Sequence, residues 1–150
     1  MRFRDICFSI TVFAFALFAE SAAAQGPKLI SSLSGPSGKL VGSKFVFDET
    51  RNRFVFPQDK AMIVLFEWSI EPGTHVLSAV WKQPDGRTGS ISSDVKMEIA
   101  TTAISCYWNF LIVPGMQNGF WTVEIRIDGR PAGTHDFELA GIPVPAAAPE

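Results

Sequence analysis

The stretch from Asn118 to Leu139, N-G-F-W-T-V-E-I-R-I-D-G-R-P-A-G-T-H-D-F-E-L, decides how the rest of the chain is read. Trp121, Val123, Ile125 and Ile127 fall on one parity, and Thr122, Glu124, Arg126 and Asp128 on the other. That alternation is a strand with one dry face and one wet face, because successive side chains of an extended chain point to opposite sides. Asp128-Gly129 supplies the turn, since both residues tolerate a positive φ at little steric cost. His135, Phe137 and Leu139 then alternate with Thr134, Asp136 and Glu138. The two runs predict an antiparallel hairpin that closes a β-domain.

Working outward, the same signature recurs with turns between. Lys28 to Leu33 reads as a short first strand, broken by Ser34-Gly35-Pro36-Ser37-Gly38. Lys44-Phe45-Val46-Phe47 and Arg53-Phe54-Val55-Phe56 are near-copies around a polar tip, which predicts a hairpin; Pro57 ends its second arm. Ala61 to Ile70 is the most apolar run after residue 24 and suits a strand covered on both faces. Thr74 to Lys82 puts His75, Leu77, Ala79 and Trp81 on one parity, and Pro84-Asp85-Gly86 turns the chain. Arg87 to Asp94 is polar and loop-like, while Val95, Met97 and Ile99 suit an edge strand. Ala103 to Val113 is β-prone throughout and stops at Pro114-Gly115. The expected fold is all-β: one antiparallel sandwich of about seven to nine strands, with turn signals every ~8–12 residues. Trp81 and Trp121 would point between its sheets. A closed barrel has the same periodicity and is the alternative.

Residues 1–24 are a separate object. Arg2 and Arg4 precede an apolar run from Ile6 to Ala19, and Ala22-Ala23-Ala24 fits a small-residue cleavage site before Gln25. This is the pattern of a secretory signal peptide, expected as a helix ahead of the domain. The apolar run of about 14 residues is shorter than the ~20 that a spanning helix needs, so no membrane span is expected after cleavage. The leader carries Arg2, Arg4, Asp5 and Glu20, so its removal leaves the net charge of −2 unchanged. Cys7 leaves with it, and Cys106 alone cannot close an internal disulfide. The domain is expected over 25–141, with a disordered Pro/Ala-rich tail over 142–150. No basic stripe of the kind that duplex binding needs is present, which sets nucleic acid aside as a partner.

Gly119-Phe120-Trp121-Thr122-Val123-Glu124-Ile125, with Asp128-Gly129, Gly133 and Phe137, resembles the closing strands of bacterial exported immunoglobulin-like and fibronectin-type-III-like domains. Val80-Trp81 before Pro84-Asp85-Gly86 resembles the central strand and turn of the same class. The likeness covers roughly residues 61–140. It departs from the pattern of antibody domains in having no cysteine pair between sheets, and in holding Trp121 where a late-strand tyrosine would tie down the corner. The resemblance implies a secreted scaffold, and such scaffolds host many unrelated functions.

Chemistry is poorly supplied. A copper site needs imidazole and sulfur ligands that converge, but Cys106 is followed by Tyr-Trp-Asn and the next histidine is His135, with no methionine after it. His75 and His135 read as strand residues near the surface. Cys106 shares parity with Ile104, Trp108 and Phe110, so burial would raise its pKa and make it inert. Glu67 is the one carboxylate within a strongly apolar run, and its pairing with Glu124 or Asp136 would be the only glycosidase arrangement to consider. No catalytic, cofactor-binding or metal-ligating residue is assigned, and no cofactor is expected. The candidate interaction residues are Trp68, Tyr107 and Trp108, which lie in runs where the buried face is ambiguous; Phe120 and Trp121 belong to the same aromatic set. The expected function is a secreted or periplasmic, non-enzymatic binding module that meets an envelope protein or polysaccharide. A carbohydrate-binding module using exposed aromatics is the alternative, and an enzyme of unknown type comes third. The sequence leaves the oligomeric state open.

Overall fold

The computed structural model describes residues 26–144. The signal peptide expected over 1–24 and the end of the tail, 145–150, lie outside the described residues. Eleven strands follow one another, and no helix is found among the described residues. They are β1 (Lys28–Gly35), β2 (Gly38–Val41), β3 (Lys44–Phe47), β4 (Arg53–Val55), β5 (Ala61–Ser69), β6 (Gly73–Lys82), β7 (Thr88–Ile91), β8 (Val95–Ile99), β9 (Ala103–Leu111), β10 (Gly119–Ile127) and β11 (Arg130–Ala140). A first sheet has the order β1-β5-β9. A second runs β4-β11-β10-β6-β7, with β8 also paired to β6, and β2 and β3 form a small hairpin of their own.

The β10–β11 hairpin is as read. Trp121 faces Phe137 and Val123 faces His135 across it. Asp128 and Gly129 take φ of 54° and 77°, the mirror-image turn that matches the twist of the two strands. Asp128 adds a second function to the turn: its Oδ1 accepts the Val76 N–H at 2.9 Å, tying the hairpin end to β6.

The two sheets face each other through aromatic rings. Phe110 on β9 stacks on Trp81 of β6 with centroids 4.3 Å apart, and lies 5.5 Å from Trp121 and 5.7 Å from Phe137. Met62, Val64, Phe66 and Trp68 of β5 project into the same layer, opposite Leu77, Ala79, Val123, Ile125 and Leu139, and all are buried. Each of the larger aliphatic and Phe side chains among these, fully buried, contributes about 1.5–3 kcal/mol of transfer free energy. The indole N–H groups stay satisfied: Trp68 donates to the Ala132 carbonyl at 3.0 Å and Trp121 to the Gln117 carbonyl at 2.9 Å.

Several expectations are corrected. The count is eleven rather than seven to nine, the additions being β2 and β7. Thr88–Ile91, expected as loop, is an edge strand because β6 is long enough to template it. Lys44–Phe47 and Arg53–Phe56 do not pair with each other. β3 pairs with β2, while β4 crosses to β11 and makes the one parallel pair among the described residues, so the second sheet is not purely antiparallel. Ile142, expected in the tail, is buried, and exchanges two backbone hydrogen bonds of 2.9 Å with the Asn118 amide.

The β2–β3 hairpin lies against the outer face of the first sheet. Phe45 packs on Tyr107 at 4.6 Å, and Gly35 leaves room for the Phe47 ring and the Glu49 carbonyl. Arg51 and Asp59 pin the chain as it leaves this region: Asp59 is buried, accepts the Val55 N–H at 2.7 Å and pairs with the Arg51 guanidinium.

Candidate functional site

The three candidate aromatics separate. Trp68 sits on the inner face of β5, fully buried, stacked on Phe66 at 5.4 Å. It therefore takes no part in a surface, which corrects its place among the interaction residues. The reason is parity: β5 turns Met62, Val64, Phe66 and Trp68 inward, and only its opposite face approaches solvent. Trp108 lies on the inner face of β9, half-buried, edge-on to Phe66 and Trp68 at 6.1 and 6.3 Å. It walls a groove of about 250 Å³ with Leu77, Val95, Met97 and Cys106. Tyr107, its neighbour, points to the other face of the same strand and is 42% exposed. A sugar platform needs a flat, exposed apolar face, and these three rings do not share one. Phe120, at 70% the most exposed aromatic of the set, stands on the outer face of the second sheet.

What the structure does gather is an apolar outer surface. Leu33, Leu65 and Tyr107 stand side by side across β1, β5 and β9. Leu33 and Tyr107 are exposed, as is Leu111 further along β9; Leu40, Val41 and Val46 of the overlying hairpin are exposed too. The sequence marks Tyr107 but not the others. No local pattern shows that β2 and β3 would be laid over β9.

The titratable groups are already engaged. Nδ1 of His75 lies 2.7 Å from Asp128 Oδ2, and Nε2 lies 2.9 Å from the Glu71 carbonyl oxygen. Both partners accept, so both ring nitrogens donate and the imidazolium is favoured. The hydrogen bond to Asp128, with that to Glu71, raises the His75 pKa above 6.5. The same bond from His75, with the Val76 N–H, lowers that of Asp128. This pair borders a cleft of about 440 Å³ with Pro27, Ile70 and Arg130.

His135 behaves in the opposite way. It bridges β11 to β1, with Nδ1 3.0 Å from Ser32 Oγ and Nε2 2.8 Å from Ser34 Oγ. Ser34 Oγ donates to the Arg51 carbonyl at 2.7 Å, so the proton between His135 and Ser34 sits on Nε2. An imidazole that already carries its proton toward a serine cannot act as that serine's base. Burial lowers the His135 pKa.

The two histidines give opposing pH dependences. For His75 the folded pKa exceeds 6.5, so its stabilisation is complete below 6.5 and is lost as pH rises through the folded value. For His135 the folded pKa is lower than 6.5, so stability is lost as pH falls from 6.5 through that value, because the unfolded chain takes the proton first. Urea melts across pH should show the advantage of wild type over His75→Gln shrinking as pH rises above 6.5. A pH-independent difference would contradict the ion pair.

Burial pushes the Cys106 thiol up to about 11, and its Sγ lies 3.7 Å from Met97 Sδ. Glu67 is exposed on the outer face of the first sheet and accepts the Ser31 hydroxyl at 2.7 Å. Glu124 and Asp136 lie on the outer face of the second sheet, so neither can flank one glycosidic bond together with Glu67. Glu124 is buried between Lys82 at 2.7 Å and Arg126 at 3.0 Å, which hold its carboxyl below the usual range. Among the described residues no three metal-capable side chains come together, and no helix is long and apolar enough to cross a membrane.

No protein-family model and no curated protein sequence matches the chain. Solved structures do. One is the alkylpurine DNA glycosylase AlkC of Pseudomonas fluorescens, bound to DNA containing an abasic-site analogue: 11% identity, TM-score 0.53, covering 77% of this chain. The match takes up 30% of that chain. Another is an immunoglobulin-like protein of Pseudomonas aeruginosa, at 12% identity and TM-score 0.46, covering 78% of this chain and 98% of that one. At such identities the first likeness speaks to the fold alone. It nonetheless corrects one expectation. A protein that contains a similar fold was solved on DNA, so the lack of a basic stripe in this chain does not exclude a nucleic-acid partner, and that exclusion is withdrawn.

Proposed function

We propose that the chain is an exported, non-enzymatic β-sandwich of the immunoglobulin-like class that binds a protein of the cell envelope. The observation that carries the proposal is the apolar outer surface of the first sheet and its hairpin, where Leu33, Leu40, Val41, Val46, Tyr107 and Leu111 are all exposed. Val41 and Val46 share the outward side of the hairpin with Lys39 and Lys44, while Leu40, paired with Phe45, lies on the side turned toward Tyr107; exposed apolar groups of this kind mark interaction sites where they are contiguous. The immunoglobulin-like class is supported by the partition of strands. β1, β5 and β9 face β6, β10 and β11, which corresponds to strands A, B and E against C, F and G. Export is supported by the basic start, apolar run and Ala22-Ala23-Ala24 of the leader. The absence of catalysis is supported by the engagement of both imidazoles and by the inert thiol.

The test has two readings. The protein recovered from its native envelope should begin at Gln25. Chemical cross-linking in that envelope should join it to a partner, and the joined species should disappear when Leu40→Asp and Val46→Asp are introduced together. These positions are exposed, so the double variant should fold. Cross-linking that is unchanged in the variant would remove the proposal.

A further inference from the structure

The first sheet ends on β9, and that edge differs from the others among the described residues. β4, β7 and β8 are three, four and five residues long, and β8 turns Lys96 and Glu98 to solvent. β1 is interrupted by a bulge between Leu29 and Ser31 and is tied to β11 through Ser32, Ser34 and His135. β9 has nine residues, A-I-S-C-Y-W-N-F-L, with no charge and no proline, and its register with β5 runs without a shift from Ala103 to Leu111. Proteins blunt such edges with charge, proline, bulges or short length, because an open row of N–H and C=O groups recruits another strand.

Those groups alternate in direction along β9. Ile112 N–H donates to the Lys60 carbonyl and Ile70 N–H to the Thr102 carbonyl, which fixes the hydrogen-bonded pairs at the two ends of the β5–β9 ladder. Antiparallel ladders alternate bonded and unbonded pairs. Ile104, Cys106, Trp108 and Phe110 therefore bond to β5. Ser105, Tyr107, Asn109 and Leu111 turn their backbone groups to the free edge. Their side chains lie on the outer face, where the apolar row Leu33–Leu65–Tyr107 ends at the edge.

We infer that β9 pairs with β9 of a second copy, antiparallel and centred on Tyr107, and that the two first sheets join into one of six strands. An antiparallel ladder is its own two-fold complement, and an uncharged strand meets no repulsion from its copy. Centring on Tyr107 sets Ser105 against Asn109 of the second copy. The area is sufficient. A nine-residue seam is about 30 Å long, and with a ~10 Å layer on either side it covers roughly 600 Å² per copy, about 1,200 Å² in all, the lower bound of a specific interface. The dimer goes beyond the partner proposed above and does not depend on it. It would present two copies of the outer surface on one side.

Sedimentation equilibrium of the purified chain tests this. The expected result is a reversible monomer–dimer system that dissociates on dilution. Asn109→Pro removes only an outward N–H and should weaken association by at least about tenfold. Ser105→Lys combined with Asn109→Lys, both at exposed positions, sets lysine directly against lysine at two places across the seam, should do the same and decides the matter if the proline variant fails to fold. Tyr107→Cys in a Cys106→Ser background should cross-link on mild oxidation, since a bonded self-pair holds Cα atoms ~5.5 Å apart; Ser105→Cys in that background should not. A monomer at every concentration, a dimer that persists in the double-lysine variant, or assemblies larger than a dimer would overturn the inference, as would the reverse cross-linking pattern.

Discussion

Phe110→Ala is expected to lower the unfolding free energy by about 3–5 kcal/mol. The reason is position more than size. Phe110 is the ring through which the first sheet grips the second, stacked on Trp81 and within 6 Å of Trp121 and Phe137, and it is 7% exposed. Its removal leaves a hole that three large rings on stiff strands cannot close. For a domain whose total stability is ~5–15 kcal/mol, the variant would sit near the threshold of folding. Chemical denaturation followed by tryptophan fluorescence reads the loss. A change of less than about 1 kcal/mol would mean that the sheets are held apart from this contact.

Gly35→Ala is the second. A Cβ at this position would collide with the Glu49 carbonyl oxygen and the Phe47 ring, and a backbone atom cannot move aside as a side-chain tip can. The expected cost is about 1–3 kcal/mol, the range for overpacked sites. The effect should be local, with the β2–β3 hairpin lifting off the outer face. Hydrogen exchange should show protection lost over Gly38–Val41 and Lys44–Phe47 while β10 and β11 stay protected. Uniform loss, or none, would contradict the packing described for the hairpin.

The strands that fill the core were legible, and for a physical reason. β6, β10 and β11 each have one wet face, so alternation names the buried side without reference to a partner. Trp81 and Trp121 accordingly lie where that pattern places them, 4% and 3% exposed. β3 and β4 were misread because Phe and Val alternate there and both faces are apolar, which leaves nothing local to choose a partner. The true partners are Gly38–Val41, which has no strand signal, and Glu138–Ala140, far along the chain. The candidate site divides along the same line. Tyr107 and Trp108 lie at the surface because β9 is an edge, and Trp68 is buried because β5 is central. Edge or centre is settled by the order of strands in a sheet, which periodicity does not encode.

The sheets of this sandwich are joined by stacked rings, with no bridge of sulfur between them. Cys106 is free, and its thiol is held at a pKa of about 11. The fold of the described residues is thus indifferent to redox potential. It should melt at the same temperature with or without dithiothreitol, and the chain folded in a reducing buffer should reach the same structure as one folded in an oxidising buffer.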